Sequence, residues 1–148
     1  MATLQIVVTA LVHGDGAVLL RMRDEQSPTR PNRWSLPGGA VEAGEEPVQA
    51  AKRLIAEQTG LVVDGEMVDL WHGFLPGVPA EVIFFASRTT AKRAASNPPG
   101  FVSEFVAGAD ILSGLRAFTP ATGYVLIRFA DHPQYQALLA QPDPDELA

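Results

Sequence analysis

Residues 38–61 read GGAVEAGEEPVQAAKRLIAEQTGL and hold the strongest structural signals in the chain. A glycine-rich bend and an acidic loop lead into a segment with helical character. Pro47 suits the first position of a helix, and Gly60 stands where a left-handed C-terminal cap belongs. The sequence therefore predicts a helix from Pro47 to Gln58, preceded by acidic residues at the positive end of its dipole.

The same stretch carries the groups that a metal site would need. Hard divalent cations bind carboxylate and carbonyl oxygens. A glycine carbonyl, a loop carboxylate and a helix carboxylate that converge on one face of the helix would form a magnesium site. Arg53 precedes Glu57 by one helical turn and can orient its carboxylate.

A plainer interpretation fits these residues as well. The helix is amphipathic, and Leu54 can extend its apolar stripe into a protein core. The loop acids Glu42, Glu45 and Glu46 can be a solvated segment that is favourably placed at a helix N-terminus. The residues alone leave both interpretations open.

The flanking segments predict an α+β fold. Residues 4–13 are rich in β-branched side chains, and a Gly-Asp-Gly turn separates them from a second apolar run at 17–22, which predicts a hairpin. Further on, the pattern predicts strands at 67–74, 81–88 and 101–106, a short helix at 109–115, and helices at 119–129 and from 131 or 132 to 140.

Composition excludes several classes of protein. The chain has 148 residues, which fits a single domain over 1–140 with a polar, flexible tail at 141–148. It has no cysteine, so disulfides, thiolate metal sites and a cysteine nucleophile are excluded. The formal charge of −6 argues against nucleic acid as a partner. No apolar run is long enough to span a membrane, and we expect a cytoplasmic protein.

The spacing of residues 39–61 resembles the Nudix box, G-x5-E-x7-R-E-U-x-E-E-x-G-U, where U is a bulky aliphatic residue. The matching positions are Gly39, Glu45, Arg53, Ile55, Glu57, Gly60 and Leu61. The preceding segment, residues 34–39, is also similar to the one that leads into the box in that family. The resemblance implies a Nudix-type α/β/α sandwich, with a mixed central sheet between flanking helices.

The resemblance also implies a chemistry and a set of site residues. Family members bind one to three divalent cations, so Mg²⁺ or Mn²⁺ is the expected cofactor. The metal ligands would be Gly38, Glu45, Glu57 and, from outside the box, Glu104. The catalytic residues would be Glu57, Arg53 and Glu45.

Two positions depart from the box. Leu54 and Gln58 stand where the family has glutamates. A leucine cannot bind a cation, and a glutamine offers an uncharged amide oxygen, which makes it the poorer ligand for a dication.

Residues near the box are candidates for substrate binding. Arginine matches phosphate geometry through two parallel hydrogen bonds, so one or two of Arg21, Arg23 and Arg33 could bind a substrate phosphate, although solvated surface charge would also explain these residues. Trp34 is a candidate for stacking on a base, although core packing would also explain it.

Two functions follow from these observations. The first is a Mg²⁺-dependent hydrolase that cleaves the pyrophosphate bond of a small-molecule nucleoside diphosphate derivative. The second, motivated by Leu54 and Gln58, is a catalytically impaired Nudix fold that binds a nucleotide or a protein. Homodimers are common in the family, so the resemblance also allows a homodimer.

Overall fold

The computed structural model describes residues 4–13, 16–23, 33–63, 66–91, 93–98, 101–107 and 117–129. Within them lie seven strands and two helices. The strands are β1 (Gln5–Val12), β2 (Val18–Arg23), β3 (Trp34–Ser35), β4 (Gly38–Ala40), β5 (Val68–Phe74), β6 (Glu81–Arg88) and β7 (Phe101–Val106). The helices are α1 (Pro47–Thr59) and α2 (Pro120–Phe129).

The sheet is mixed and is centred on β1, the run of β-branched residues. β1 pairs in parallel with β6 along its whole length, from Gln5 opposite Glu81 to Val12 opposite Arg88. β5 pairs antiparallel with the other edge of β6. The predicted hairpin is present, since β1 and β2 are antiparallel neighbours at Val12 and Val18.

β1 and β2 are paired at one end and separate beyond it. A strand has only two edges, and β6 and β7 each occupy one edge of β1 and β2, respectively. β4 therefore pairs with the remaining edge of β1, and β3 pairs with the remaining edge of β2. The segment from β3 to β4 thus lies in the gap between the two strands, and this gap holds the cavity described below.

Helices pack on the two faces of the sheet, so the expected α/β/α sandwich is confirmed. α1 lies on one face, where its apolar residues contact alternate positions of the strands. That contact joins Ala50, Ala51, Leu54 and Ile55 to Val7, Leu11, Leu19, Ile83 and Phe85. On the opposite face, α2 contributes Val125 and Leu126 to a cluster with Val8, Leu20, Leu36 and Phe84.

Both ends of α1 agree with the sequence signals. Pro47 is its first residue, and the side chain of Gln49 accepts a hydrogen bond from the backbone N–H of Glu46 at 3.0 Å. Gly60 has a φ of 72°, and its N–H donates to the carbonyl of Ala56. Glycine adopts this left-handed conformation at little cost, which explains why α1 ends there.

Phe74 departs from a sequence interpretation. The aromatic residues Trp71, Phe74, Phe84 and Phe85 alternate with other residues in a way typical of a core. Phe84 and Phe85 are buried, and Trp71 is partly buried against the core cluster. Phe74 is 65% exposed, because it lies at the end of β5, and β5 forms one edge of the sheet.

Three predictions lie outside the described residues: the helices at 109–115 and near 131–140, and the tail at 141–148. Neither α1 nor α2 has the length and apolar character needed to cross a bilayer, and the search for such a helix covered only the part of the chain that the structure describes.

Candidate functional site

α1 docks on β4 through three side chains, each of which contacts one residue of the strand. Gln58 contacts Gly38, Leu54 contacts Gly39, and Arg53 contacts Ala40. From Gly38 to Ala40, each residue of β4 contacts an earlier residue of α1 than the one before it. Both residues that depart from the Nudix box therefore lie in this contact.

The amide of Gln58 forms two hydrogen bonds with the backbone of Gly38. The N–H of Gly38 donates to Oε1 of Gln58 at 3.0 Å, and Nε2 of Gln58 donates to the carbonyl of Gly38 at 2.9 Å. An amide can donate and accept at once, whereas a carboxylate only accepts. An ionised glutamate at position 58 could not form both bonds.

Leu54 is a core residue in this structure. Its side chain is 7% exposed and packs in the cluster that joins α1 to β1 and β6. A Cβ atom added to Gly39 would lie 3.2 Å from Cδ2 of Leu54, so the missing side chain of this glycine makes room for the leucine. The packing supports the interpretation of Leu54 as an extension of the apolar stripe.

Arg53 of α1 lies close to three acidic side chains. Its guanidinium holds both carboxylate oxygens of Glu45, at 2.9 and 3.1 Å, and also donates to Oε2 of Glu57 at 3.3 Å. It donates to the carbonyl of Ala40 at 3.1 Å, and Oε1 of Glu42 lies 3.8 Å away. The three carboxylates thus surround a cation that the chain itself supplies.

These contacts shift two pKa values in opposite directions. The hydrogen bonds from the Arg53 side chain, and then the one from the backbone N–H of Glu42, lower the pKa of the Glu45 carboxyl. The bond to Glu45 in turn raises the pKa of the Arg53 guanidinium. The pair is therefore held in its ionised form at neutral pH.

A cavity of about 460 Å³ opens in the gap between β1 and β2, next to the C-terminal part of α1. This volume is within the range typical of small-molecule sites, roughly 300–1,000 Å³. Its lining residues are Ile6, Val8, Arg21, Arg33, Ser35, Leu36, Gly38, Glu57, Gln58, Pro98, Phe101, Thr119, Ala121 and Thr122.

Two arginines give the cavity a cationic wall. Arg21 is only 5% exposed, and its guanidinium carbon lies 4.3 Å from the centre of the Phe101 ring. This cation–π contact holds the guanidinium plane in a defined orientation. Arg33 is exposed, and it donates a 3.4 Å hydrogen bond to the carbonyl of Phe118, two residues before α2. Among the described lining residues, Glu57 is the only acid.

The structure distributes the expected site residues over three places. Gly38, Glu57, Arg21 and Arg33 line the cavity. Arg53 and Glu45 form the ion pair beside it, and Trp34 packs against the core cluster on the α2 side. The side chain of Arg23 is outside the described residues.

Glu104 is on the other side of the sheet from α1. It pairs with Leu20, and its neighbours alternate: Phe105 packs on the α1 side, and Val106 packs on the α2 side. Side chains two apart share a face of a strand, so Glu104 projects to the α2 side with Val106. It is not among the residues that line the cavity.

The described residues do not fit the divalent-cation site that the sequence led us to expect. The carbonyl of Gly38 accepts a hydrogen bond from Gln58, and both oxygens of Glu45 accept from Arg53. No three histidine or acidic side chains within the described ranges are arranged to hold a metal ion.

Several cavity residues were missed by sequence reasoning. Pro98 and Phe101 flank the end of a loop with no recognisable pattern. Thr119 lies directly before α2, and Ala121 and Thr122 lie in its first turn. The loop is fixed to α1 because the N–H groups of residues 95 and 96 both donate to the carbonyl of Thr59. The hydroxyl of Thr122 accepts a bond from the N–H of Leu36, so this threonine links α2 to the gap between the strands.

Comparison with known proteins identifies a family. The family model for the NUDIX domain matches residues 3–113, well over half of the chain. The RNA pyrophosphohydrolase of Caulobacter vibrioides is 38% identical over 78 residues, which are 52% of this chain and 44% of that protein. The aligned part therefore spans less than half the length of this curated relative.

Solved structures share the fold. The MutT NUDIX hydrolase of Burkholderia pseudomallei matches with a TM-score of 0.69 and 22% identity, over 86% of this chain and 98% of that one. The NUDIX domain of Shewanella oneidensis NrtR, complexed with ADP ribose, matches with a TM-score of 0.65 and 20% identity, over 86% and 88% of the two chains. At these identities the likeness supports the fold alone.

Proposed function

Because the chain belongs to the NUDIX domain family, we propose that it hydrolyses a pyrophosphate bond in a nucleoside diphosphate linked to another group. Family membership confirms the resemblance that residues 39–61 indicated. The observation that carries the proposal is the cavity beside α1, where two arginines face the same space as Glu57. A diphosphate needs cationic partners, and an attacking water needs a base.

In this proposal, Arg21 and Arg33 bind the diphosphate. A guanidinium presents two parallel N–H donors to phosphate oxygens, and it keeps its charge at every physiological pH. Arg21 is buried, so its attraction for an anion is weakened less by water than that of a surface arginine. Phe101 supports this guanidinium from one side.

Glu57 acts on the attacking water. The water oxygen forms a bond to one phosphorus atom, the bridging P–O bond breaks, and the departing phosphate takes up a proton. The Glu57 carboxylate accepts the proton of the water, while its hydrogen bond to Arg53 fixes its position. Glu45 holds Arg53 and acts through it.

No step is assigned to Mg²⁺ or Mn²⁺, because the described residues do not fit a resident cation. Metal ions in hydrolases neutralise phosphate charge and lower the pKa of a bound water. A site that lacks both contributions relies on arginines and a carboxylate, and we expect its turnover to be slow.

The test is release of mononucleotide from compounds with two linked phosphates, ADP-ribose among them, measured by chromatography with and without MgCl₂. We expect slow release that falls about a hundredfold in Glu57→Gln, the usual loss when a general base is removed. Glu66→Gln, an exposed acid outside the cavity, makes the same charge change and is the control. No release above background from any compound overturns the proposal.

The binding-module hypothesis gives a different outcome of the same assay. Leu54 and Gln58 favour it, since both occupy places in which a glutamate would serve a metal. If ADP-ribose binds but is never cleaved, the chain is a nucleotide-binding Nudix fold. A cytoplasmic location and a homodimer stay predictions, and sedimentation of the full chain tests the second.

A further inference from the structure

We propose that the cavity binds a diphosphate group without a divalent cation, because Gln58 has taken the cation's place at Gly38 and the two cavity arginines supply the positive charge. This inference rests on the proposed function only for the class of ligand, a nucleoside diphosphate. It concerns binding, so it can fail or hold independently of whether the bound compound is cleaved.

The first support is the geometry at Gly38. Its carbonyl accepts from Nε2 of Gln58 at 2.9 Å, and its N–H uses Oε1 of the same amide at 3.0 Å. A cation at this carbonyl would lie close to the positive end of the Gln58 N–H dipole. It could not readily bind Oε1 of Gln58 either, because the N–H of Gly38 already donates to that oxygen. The two-bond contact therefore satisfies the backbone group that a cation would otherwise bind.

The second support is the charge around Arg53. Both oxygens of Glu45 and one oxygen of Glu57 accept hydrogen bonds from its guanidinium. A dication at these carboxylates would have to displace this cation or lie beside it. Like charges a few ångströms apart repel, so the ion pair disfavours metal binding at the same acids.

The third support is the position of two cationic side chains in the cavity wall. Arg21 and Arg33 both line the cavity, and Arg21 is nearly inaccessible to water outside it. Two guanidinium groups can offset most of the charge of a diphosphate, which is the electrostatic part of what a bound Mg²⁺ would contribute. The cavity thus retains a means of holding the anion that needs no metal.

The first experiment is calorimetric titration of the full chain with ADP, once in EDTA and once in excess MgCl₂. We expect similar Kd values in the two buffers. A Kd that is more than about tenfold lower with Mg²⁺, about 1.4 kcal/mol in binding free energy, overturns the inference. Absence of ADP binding in both buffers also overturns it.

The second experiment creates the metal dependence that the wild-type chain is proposed to lack. Gln58→Glu replaces the donor at the Gly38 carbonyl with a second carboxylate next to Glu57. We expect this variant to bind Mn²⁺, measured with the metal alone by electron paramagnetic resonance, and to bind ADP more tightly with Mg²⁺ than in EDTA. Mn²⁺ binding by the wild type that equals that of the variant overturns the inference.

A matched control and a folding check complete the test. Gln49→Glu makes the same substitution at an exposed position of α1, where the side chain only accepts a hydrogen bond, so Mn²⁺ binding should not appear. Arg33→Gln should weaken ADP binding in EDTA about tenfold or more, and Arg93→Gln, an exposed arginine outside the cavity lining, should not.

If Gln58→Glu does not fold, Gln58→Ala removes the two bonds without adding charge. Because Arg21 and Arg33 are unchanged, ADP binding by this variant in EDTA should stay within about tenfold of the wild type, and loss of that binding would overturn the inference. The two proposals fail separately. Cation-dependent ADP binding overturns only this inference, whereas cation-independent binding without cleavage of any compound overturns only the hydrolase proposal.

Discussion

Leu54 and Gln58 are one turn apart on α1, contact adjacent glycines of β4, and depart from the same motif, yet the two contacts differ in kind. Leu54 packs in a dry cluster against Gly39, whereas Gln58 exchanges two hydrogen bonds with the backbone of Gly38. At position 54 a leucine that packs in the core stands in place of the glutamate of the motif. At position 58 it is replaced by a polar group that still faces the cavity.

This difference determines at which of the two positions a glutamate could be restored. A carboxylate at position 58 would lie at a cavity edge near water and other polar groups. A carboxylate at position 54 would be surrounded by Val7, Ala50, Ala51 and Phe85, none of which can pair with it. Charge is tolerated in a protein where it is solvated or paired, so only position 58 retains room for a metal ligand.

The largest expected effect is that of Leu54→Glu on stability. The substitution buries an unpaired carboxylate in an apolar cluster, and we expect it to lower the free energy of unfolding by about 4 kcal/mol. Burial raises the pKa of such a carboxyl, so the loss should shrink as the pH falls and the group becomes neutral. Urea unfolding of the variant at several pH values measures both effects.

Leu54→Met is the matched control, since it conserves volume and apolar character and should cost less than about 1.5 kcal/mol. If Leu54→Glu is as stable as Leu54→Met at neutral pH, position 54 is not the dry contact described here. The contrast with position 58 would then disappear.

The next largest effect is a difference in stability between alanine substitutions at Gly38 and at Gly39. A Cβ atom on Gly38 would collide with the backbone carbonyl oxygen of Val7 in β1, whereas one on Gly39 would meet only the end of the Leu54 side chain. Backbone cannot yield as a side chain does, so we expect Gly38→Ala to cost about 3 kcal/mol and Gly39→Ala about 1 kcal/mol. Equal losses in urea unfolding would contradict this difference between a backbone neighbour at Gly38 and a side-chain neighbour at Gly39.

The sequence predicts the local part of this arrangement well. Pro47 and Gly60 determine the ends of α1, because each acts through its own backbone geometry. The β-branched run at residues 5–12 predicts the central strand for a similar reason. The family resemblance supplies the mixed sheet and the two helical layers, which no short-range signal contains.

The contacts of α1 with β4 could not be predicted in the same way. Gln58 and Gly38 are 20 residues apart, and their hydrogen bonds depend on how the helix is placed on the strand. The cavity wall likewise combines Phe101 and Thr122 with Arg21, from three distant parts of the chain. Residue type indicated which groups could bind a metal. It did not reveal that these groups already accept hydrogen bonds from Arg53 and Gln58.

The smallest expected effect concerns the third contact of α1, in which Arg53 reaches Ala40 and holds Glu45. The pKa of Glu45 is lowered in the folded protein, so the ionised carboxylate stabilises the fold above its ordinary pKa of 4.5. That contribution should be lost as the pH falls below 4.5 and through the lowered value. Glu45→Gln lacks a carboxyl that can titrate, so its urea midpoint should fall less steeply over this range than that of the wild type. Glu66→Gln, which changes an exposed acid elsewhere, should follow the wild type. A slope for Glu45→Gln equal to that of the wild type would mean that the ion pair adds nothing to the packing of Leu54 and the amide bonds of Gln58.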